Sequence, residues 1–132
     1  METKNFNFLP VLKAGFIAGF IGAGLNNIWS IIAAGLGATI PPAFAIAVTI
    51  SSFVPVLVGA VIYFVLVRFV PKGATVFTVL GVAFLLFSFF PVFNTPQLPD
   101  GTVLDSTFPL LVGPMHAFSG ILAIWGIPKW SR

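Results

Sequence analysis

Six Lys and Arg residues punctuate four long apolar runs in this chain, and one orientation across a membrane would put all six on the same side. Lys4 and Lys13 precede the first run, Arg68 and Lys72 separate the second from the third, and Lys129 and Arg132 follow the fourth. The two intervening connections hold no Lys or Arg, and the second of them holds both Asp residues, Asp100 and Asp105. Basic residues in short loops resist translocation and stay on the cytoplasmic side. The pattern predicts an all-α bundle of four transmembrane helices, N-in and C-in, with short loops.

Composition agrees with lipid as the main solvent. Only 7% of the residues are charged and 58% are hydrophobic, with a mean hydropathy of +1.11. A soluble domain carries roughly 25% charged residues, and a chain so poor in charge could not cover its own surface against water. The pI near 9.8 does not point to nucleic acid, because the basic residues stand singly at helix ends and form no patch. With no cysteine in the chain, disulfides, thiolate metal sites, Cys nucleophiles and palmitoylation are excluded. The first apolar run is longer than a signal-peptide core, so it reads as a retained helix. Residues 1–132 form a single integral membrane domain in the cell membrane, of the bacterial inner-membrane kind, with no room for a separate soluble domain.

Punctuation residues set the expected helices at about 10–34, 43–69, 74–93 and 107–127. Gly35-Leu36-Gly37 and Pro41-Pro42 break the first run, and Pro71-Lys72-Gly73 makes a short inner turn. Pro99-Asp100-Gly101 reads as a turn within the longest polar stretch. Ser106 or Thr107 is expected to cap the fourth helix, with Pro109 in its first turn and Pro128 at its end. Trp125 and Trp130 fall where an interfacial aromatic belt would sit. A shift of 59 residues aligns Lys13 with Lys72, Gly22 with Gly81 and Pro55 with Pro114; that is the trace a tandem duplication of a helical hairpin would leave.

Small residues mark the packing face of the first helix. Gly15, Gly19 and Ala23 are spaced by four, with Ala14, Ala18 and Gly22 as the adjacent row. Such rows let helix backbones approach closely where no hydrophobic drive exists. Continued by four, they reach Asn26 and Asn27, so these amides point into a protein interface. His116 is the only histidine. It follows Ser106 by ten residues, roughly 15 Å at helical rise and hence near mid-bilayer. Asn26 and Asn27 reach a similar depth, with Ser52 from the second helix and Ser119 one turn beyond His116. Pro114 lacks an N–H and frees the carbonyl of Leu110, which predicts a kink beside the histidine. The bland reading of these groups is cohesion between helices; the sharper one is a solute or proton site.

Catalytic chemistry finds no footing. One His without carboxylates cannot build a zinc or iron site, adjacent Met115 and His116 cannot ligate both faces of one haem, and no buried acid exists to orient a hydrolase histidine. The chain is expected to carry no cofactor or metal and not to be an enzyme. With its four helices and the Met115-His116 pair early in the last one, it resembles an uncharacterised family of small bacterial membrane proteins. That resemblance implies the architecture and brings no activity with it. The reading that follows is a small membrane protein, self-associating in the lipid bilayer, that binds or passes a small solute or protons at a site of His116, Asn26, Asn27, Ser52 and Ser119. Its rival is a non-catalytic scaffold or partner subunit whose polar residues only join helices.

Overall fold

The computed structural model describes residues 6–94 and 97–132; Lys4, counted among the cations above, lies outside them. Four helices account for most of the chain: α1 Phe8–Gly35, α2 Phe44–Phe69, α3 Gly73–Asn94 and α4 Phe108–Trp130. Each is long and apolar enough to cross a bilayer. Among the described residues there is no strand, only an isolated antiparallel bridge between Gln97 and Val103 in the loop before α4. The fold is an all-α, multipass membrane bundle. The first three helices end within two residues of the sequence expectation.

Local chemistry explains the ends. The N–H of Ala38 bonds the Ala33 carbonyl at 2.9 Å and that of Gly37 the Ala34 carbonyl at 3.0 Å. Gly37 takes φ +96°, so α1 closes in a Schellman motif whose glycine supplies the left-handed step. Between α2 and α3, the Gly73 N–H bonds the Val70 carbonyl at 3.0 Å across Pro71 and Lys72, and Lys72 holds φ +56°. This is a type II turn with a lysine where glycine is usual. Gly73 itself cannot carry a side chain, because a Cβ there would fall inside the Leu66 carbonyl.

Helix α4 departs from expectation at both ends. Neither Ser106 nor Thr107 caps it by a side-chain hydrogen bond to the first turn. Asp105 organises the approach instead: its Oδ1 accepts the Thr107 N–H at 2.8 Å, and its backbone carbonyl accepts the Phe108 N–H at 3.2 Å. At the other end the helix does not stop at Pro128 but runs on to Trp130, through a π-helical turn at Leu122–Gly126. A proline ring crowds the carbonyl four residues before it, here that of Ile124. The wider π turn around Ile124 gives the ring room, so Pro128 is tolerated.

Two apolar clusters hold the bundle. Val11, Ala18, Val56, Ala60, Tyr63, Phe77 and Ile127 form one; Ala33, Ala38, Phe44, Val48, Leu111 and Met115 form the other. The first joins the start of α1, the end of α2, the start of α3 and the end of α4. Lys13, Arg68, Lys72, Lys129 and Arg132 therefore share that end of the molecule, and Asp100 and Asp105 lie at the opposite one. Between the clusters α1 presses on α2 through its small residues. A Cβ on Gly15 would sit 2.6 Å from the Ala60 Cβ, and one on Gly19 would sit 2.9 Å from the Phe53 ring. Gly22, with Ala23 buried beside it, faces α4 at ordinary contact distance from Leu122 and Ser119. Helix α3 is the least covered, and Phe84, Phe87, Phe90 and Phe93 project outward from it.

Candidate functional site

Asn26 reaches its position because the small-residue row of α1 brings α2 and α4 close on either side. Its Nδ2 donates to Ser52 Oγ of α2 at 2.8 Å and to Ser119 Oγ of α4 at 2.9 Å. One primary amide thus spends both of its hydrogens on two other helices. Asn26 is nine residues from the C-terminal end of α1, Ser52 eight into α2 and Ser119 eleven into α4, or roughly 14, 12 and 17 Å along the axes. Half of a ~30 Å hydrocarbon core is ~15 Å, so the three groups meet near mid-depth. Asn26 is 2% exposed, and its Oδ1 has no hydrogen-bond partner.

Asn27 and His116 do not join that cluster. Asn27 donates to its own Ala23 carbonyl at 2.8 Å and to Thr49 Oγ1 at 3.0 Å, toward the lipid-facing side of the α1–α2 seam. His116 turns away from α1 altogether. Its Nδ1 lies 2.9 Å from Ser88 Oγ of α3, with the Phe89 ring at 5.9 Å. The expected partners, Asn26 or Asn27 of α1 or a group on α2, are replaced by Ser88. The reason is angular: His116 and Ser119 are three residues apart, so they diverge by about 60° around α4, one toward α1 and the other toward α3. Ser88 Oγ also donates to the Leu85 carbonyl at 2.6 Å. Its one proton is spent there, so His116 Nδ1–H is the donor, and in the neutral ring Nε2 keeps the lone pair.

The carbonyl freed by Pro114 does find a partner, and it is Trp29. The indole Nε1–H reaches the Leu110 carbonyl at 3.2 Å and that of Leu111 at 3.1 Å, with Phe118 edge-on to the indole at 6.3 Å. Trp29 was not among the residues singled out from the sequence. The signal was there: a tryptophan inside a span carries an N–H that must be satisfied. At the end of the bundle that carries Asp100 and Asp105, Thr39 ties the α1–α2 connection to the start of α4. Its N–H reaches Thr107 Oγ1 at 2.9 Å and its hydroxyl reaches Asp105 Oδ2 at 2.5 Å. The Thr107 hydroxyl, the Thr39 hydroxyl and the Thr107 N–H together hold the Asp105 carboxyl below its ordinary range.

Two cavities are best defined. One, of about 740 Å³, lies at the cationic end between α3 and the last turns of α4. The other, of about 290 Å³, is a shallow depression on the N-terminal half of α2. Neither touches Asn26 or His116. Residues 8–108 match the model of a family of unknown function, DUF6069, which is more than half of the chain. The chain belongs to this family. The DUF6069 match takes in Asn26, Asn27, Ser52 and Ser88 and ends as α4 begins, short of Met115-His116 and Ser119. No curated protein matches the chain, and no solved structure does.

Proposed function

We propose that this DUF6069 member is a non-catalytic multipass subunit, one that assembles with copies of itself or with partner chains in the cell membrane. Its mid-depth polar residues serve to fix the helices. The carrying observation is the Asn26 amide: both N–H groups are committed to Ser52 and Ser119, and the two best-defined cavities pass it by. A conduit needs water or solute access at the polar level, and a pin needs dry packing. The orientation we infer, both termini cytoplasmic, follows from five described cations at one end and two Asp at the other.

Purified protein in liposomes tests this. Asn26→Ala and His116→Ala should each lower the melting temperature while neither parent nor variant conducts protons. A pH-dependent proton flux through the parent that His116→Ala abolishes would overturn the reading. It would establish the second one, a mid-depth site for a proton or a small neutral or weakly basic solute. That alternative is supported by two unspent acceptors, Asn26 Oδ1 and His116 Nε2, since each would receive a hydrogen from such a solute.

A further inference from the structure

The larger cavity has chemistry of its own, and none of the mid-depth residues belongs to it. It is a groove of about 740 Å³ lined by Tyr63, Thr75, Thr78, Trp125, Lys129 and Arg132, among others. Lys129 and Arg132 bring two cations to one wall, while the two described acids, Asp100 and Asp105, are at the opposite end of the bundle. Thr75 adds a hydroxyl from the first turn of α3, while that of Thr78 donates to the Ala74 carbonyl at 3.1 Å. The helix begins at Gly73, so its positive dipole end is close by.

Tyr63 supplies the most specific observation. The residue is 5% exposed, with its ring packed edge-on against Phe77 at 4.9 Å. Its hydroxyl has no hydrogen-bond partner among the described residues, and the residue lines the groove. A buried tyrosine ordinarily satisfies its O–H. Tyr63 thus brings an unused donor to a lining that already holds two cations and the Thr75 hydroxyl. Donors predominate, so the matching ligand is an oxyanion.

We propose that this groove binds the phosphate group of an anionic phospholipid. The phosphate oxygens would take hydrogens from Lys129, Arg132, Thr75 and Tyr63. Inorganic phosphate shares that chemistry, but the surroundings favour the lipid. One turn deeper along α3 the exposed side chains are Val79 and Val82, and Trp125 is part of the lining. Cations and hydroxyls at the interface, an aromatic at headgroup level and hydrocarbon below repeat the polarity order of a phospholipid. The proposal requires a membrane protein and is independent of whether the mid-depth groups are pins or a conduit.

Native mass spectrometry of the detergent-purified chain tests it with phosphatidylglycerol, phosphatidylcholine of matched acyl chains, and inorganic phosphate. Phosphatidylglycerol should be retained over phosphatidylcholine. Lys129→Gln should weaken that retention by about fivefold, the worth of one interfacial cation, and raised salt should weaken it further. Tyr63→Phe keeps the packed ring and deletes only the hydroxyl, so it should weaken retention without changing the lipid-free melting temperature. Arg68→Gln, a cation at the same end but outside the groove, should leave retention unchanged. Equal retention of the two lipids, or an Arg68→Gln loss matching that of Lys129→Gln, would overturn the site as diffuse surface charge. Retention of inorganic phosphate as tight as that of phosphatidylglycerol, and lost in Lys129→Gln, would overturn the lipid as its source.

Discussion

Exchanging a single methyl group between α1 and α2 tests whether the small-residue row sets the spacing of the bundle. A Cβ on Gly15 would lie 2.6 Å from the Ala60 Cβ, whereas non-bonded carbons rest about 3.5–4.0 Å apart. Gly15→Ala therefore requires the helices to separate by about 1 Å. A helix cannot yield at one residue alone, so the contacts flanking Gly15 open with it. A gap of that size forfeits roughly a quarter to a half of each contact's dispersion energy. Overpacking of this kind costs about 1–3 kcal/mol. The helix-propensity gain from replacing Gly by Ala, up to about 1 kcal/mol, masks part of that loss in the single variant. The double-mutant cycle removes the masking, because each propensity change belongs to its own site. Gly15→Ala combined with Ala60→Gly moves the methyl across the seam and restores the spacing. The expected coupling energy is thus about 1–3 kcal/mol in favour of the pair. It is measured by reversible unfolding in mixed micelles, followed by circular dichroism. If the two substitutions add to within about 0.5 kcal/mol, as independent sites do, α1 and α2 do not meet at Gly15 and the packing argument fails.

Four further expectations follow from particular contacts. Trp29→Phe deletes the N–H that serves the Leu110 and Leu111 carbonyls; it should cost about 1–3 kcal/mol for the orphaned Leu110 carbonyl, and an unchanged unfolding curve would disconnect Trp29 from the Pro114 gap. Gly73→Ala should abolish accumulation of folded protein, whereas Gly24→Ala, where a Cβ meets open space, should be accepted; comparable yields would contradict the tight α2–α3 turn. The Asp105 carboxyl is held below 3.8 by the Thr107 and Thr39 hydroxyls, so the ionised form stabilises the fold above that pH and the contribution disappears as pH falls through the lowered folded value. Hydrogen exchange at Thr39 and Thr107 should accelerate over that acid range, and Asp105→Asn should remove the response. Finally, an impermeant thiol reagent applied to intact cells should label Asp100→Cys and spare Lys72→Cys; the opposite pattern would invert the topology.

Hydropathy and cation placement made the four spans legible, because a bilayer imposes length and apolarity on every crossing segment. The packing row Gly15, Gly19, Ala23 was legible for the same kind of reason: four-residue spacing of small side chains is a one-helix property. Partnerships between helices depend on rotation as well as depth, and the sequence carries depth alone. Asn26, Ser52 and His116 were rightly placed at similar heights, yet His116 faces α3 and takes Ser88, while Asn26 joins Ser52 and Ser119. Pro114 announced an orphaned carbonyl, but nothing in the local sequence said that an indole from α1 would reach it. The run past Pro128 was hidden as well, since a π turn is a response to crowding that composition does not encode.

That π turn bears on how the length of this chain can change over evolutionary time. It encloses one residue more between bonded partners than an α turn does, so Leu122–Gly126 is where α4 stores a surplus residue. On its two flanks the helix is held in register: Gly120 lies against Leu85, and Ile127 is buried in the first apolar cluster. Loss of one residue within the turn would tighten it to α geometry and leave Leu111 and Lys129 facing as they do now. A deletion anywhere else in α4 would swing one end by about 100°. Relatives that differ by a single residue in this helix are therefore expected to carry the gap between positions 122 and 126.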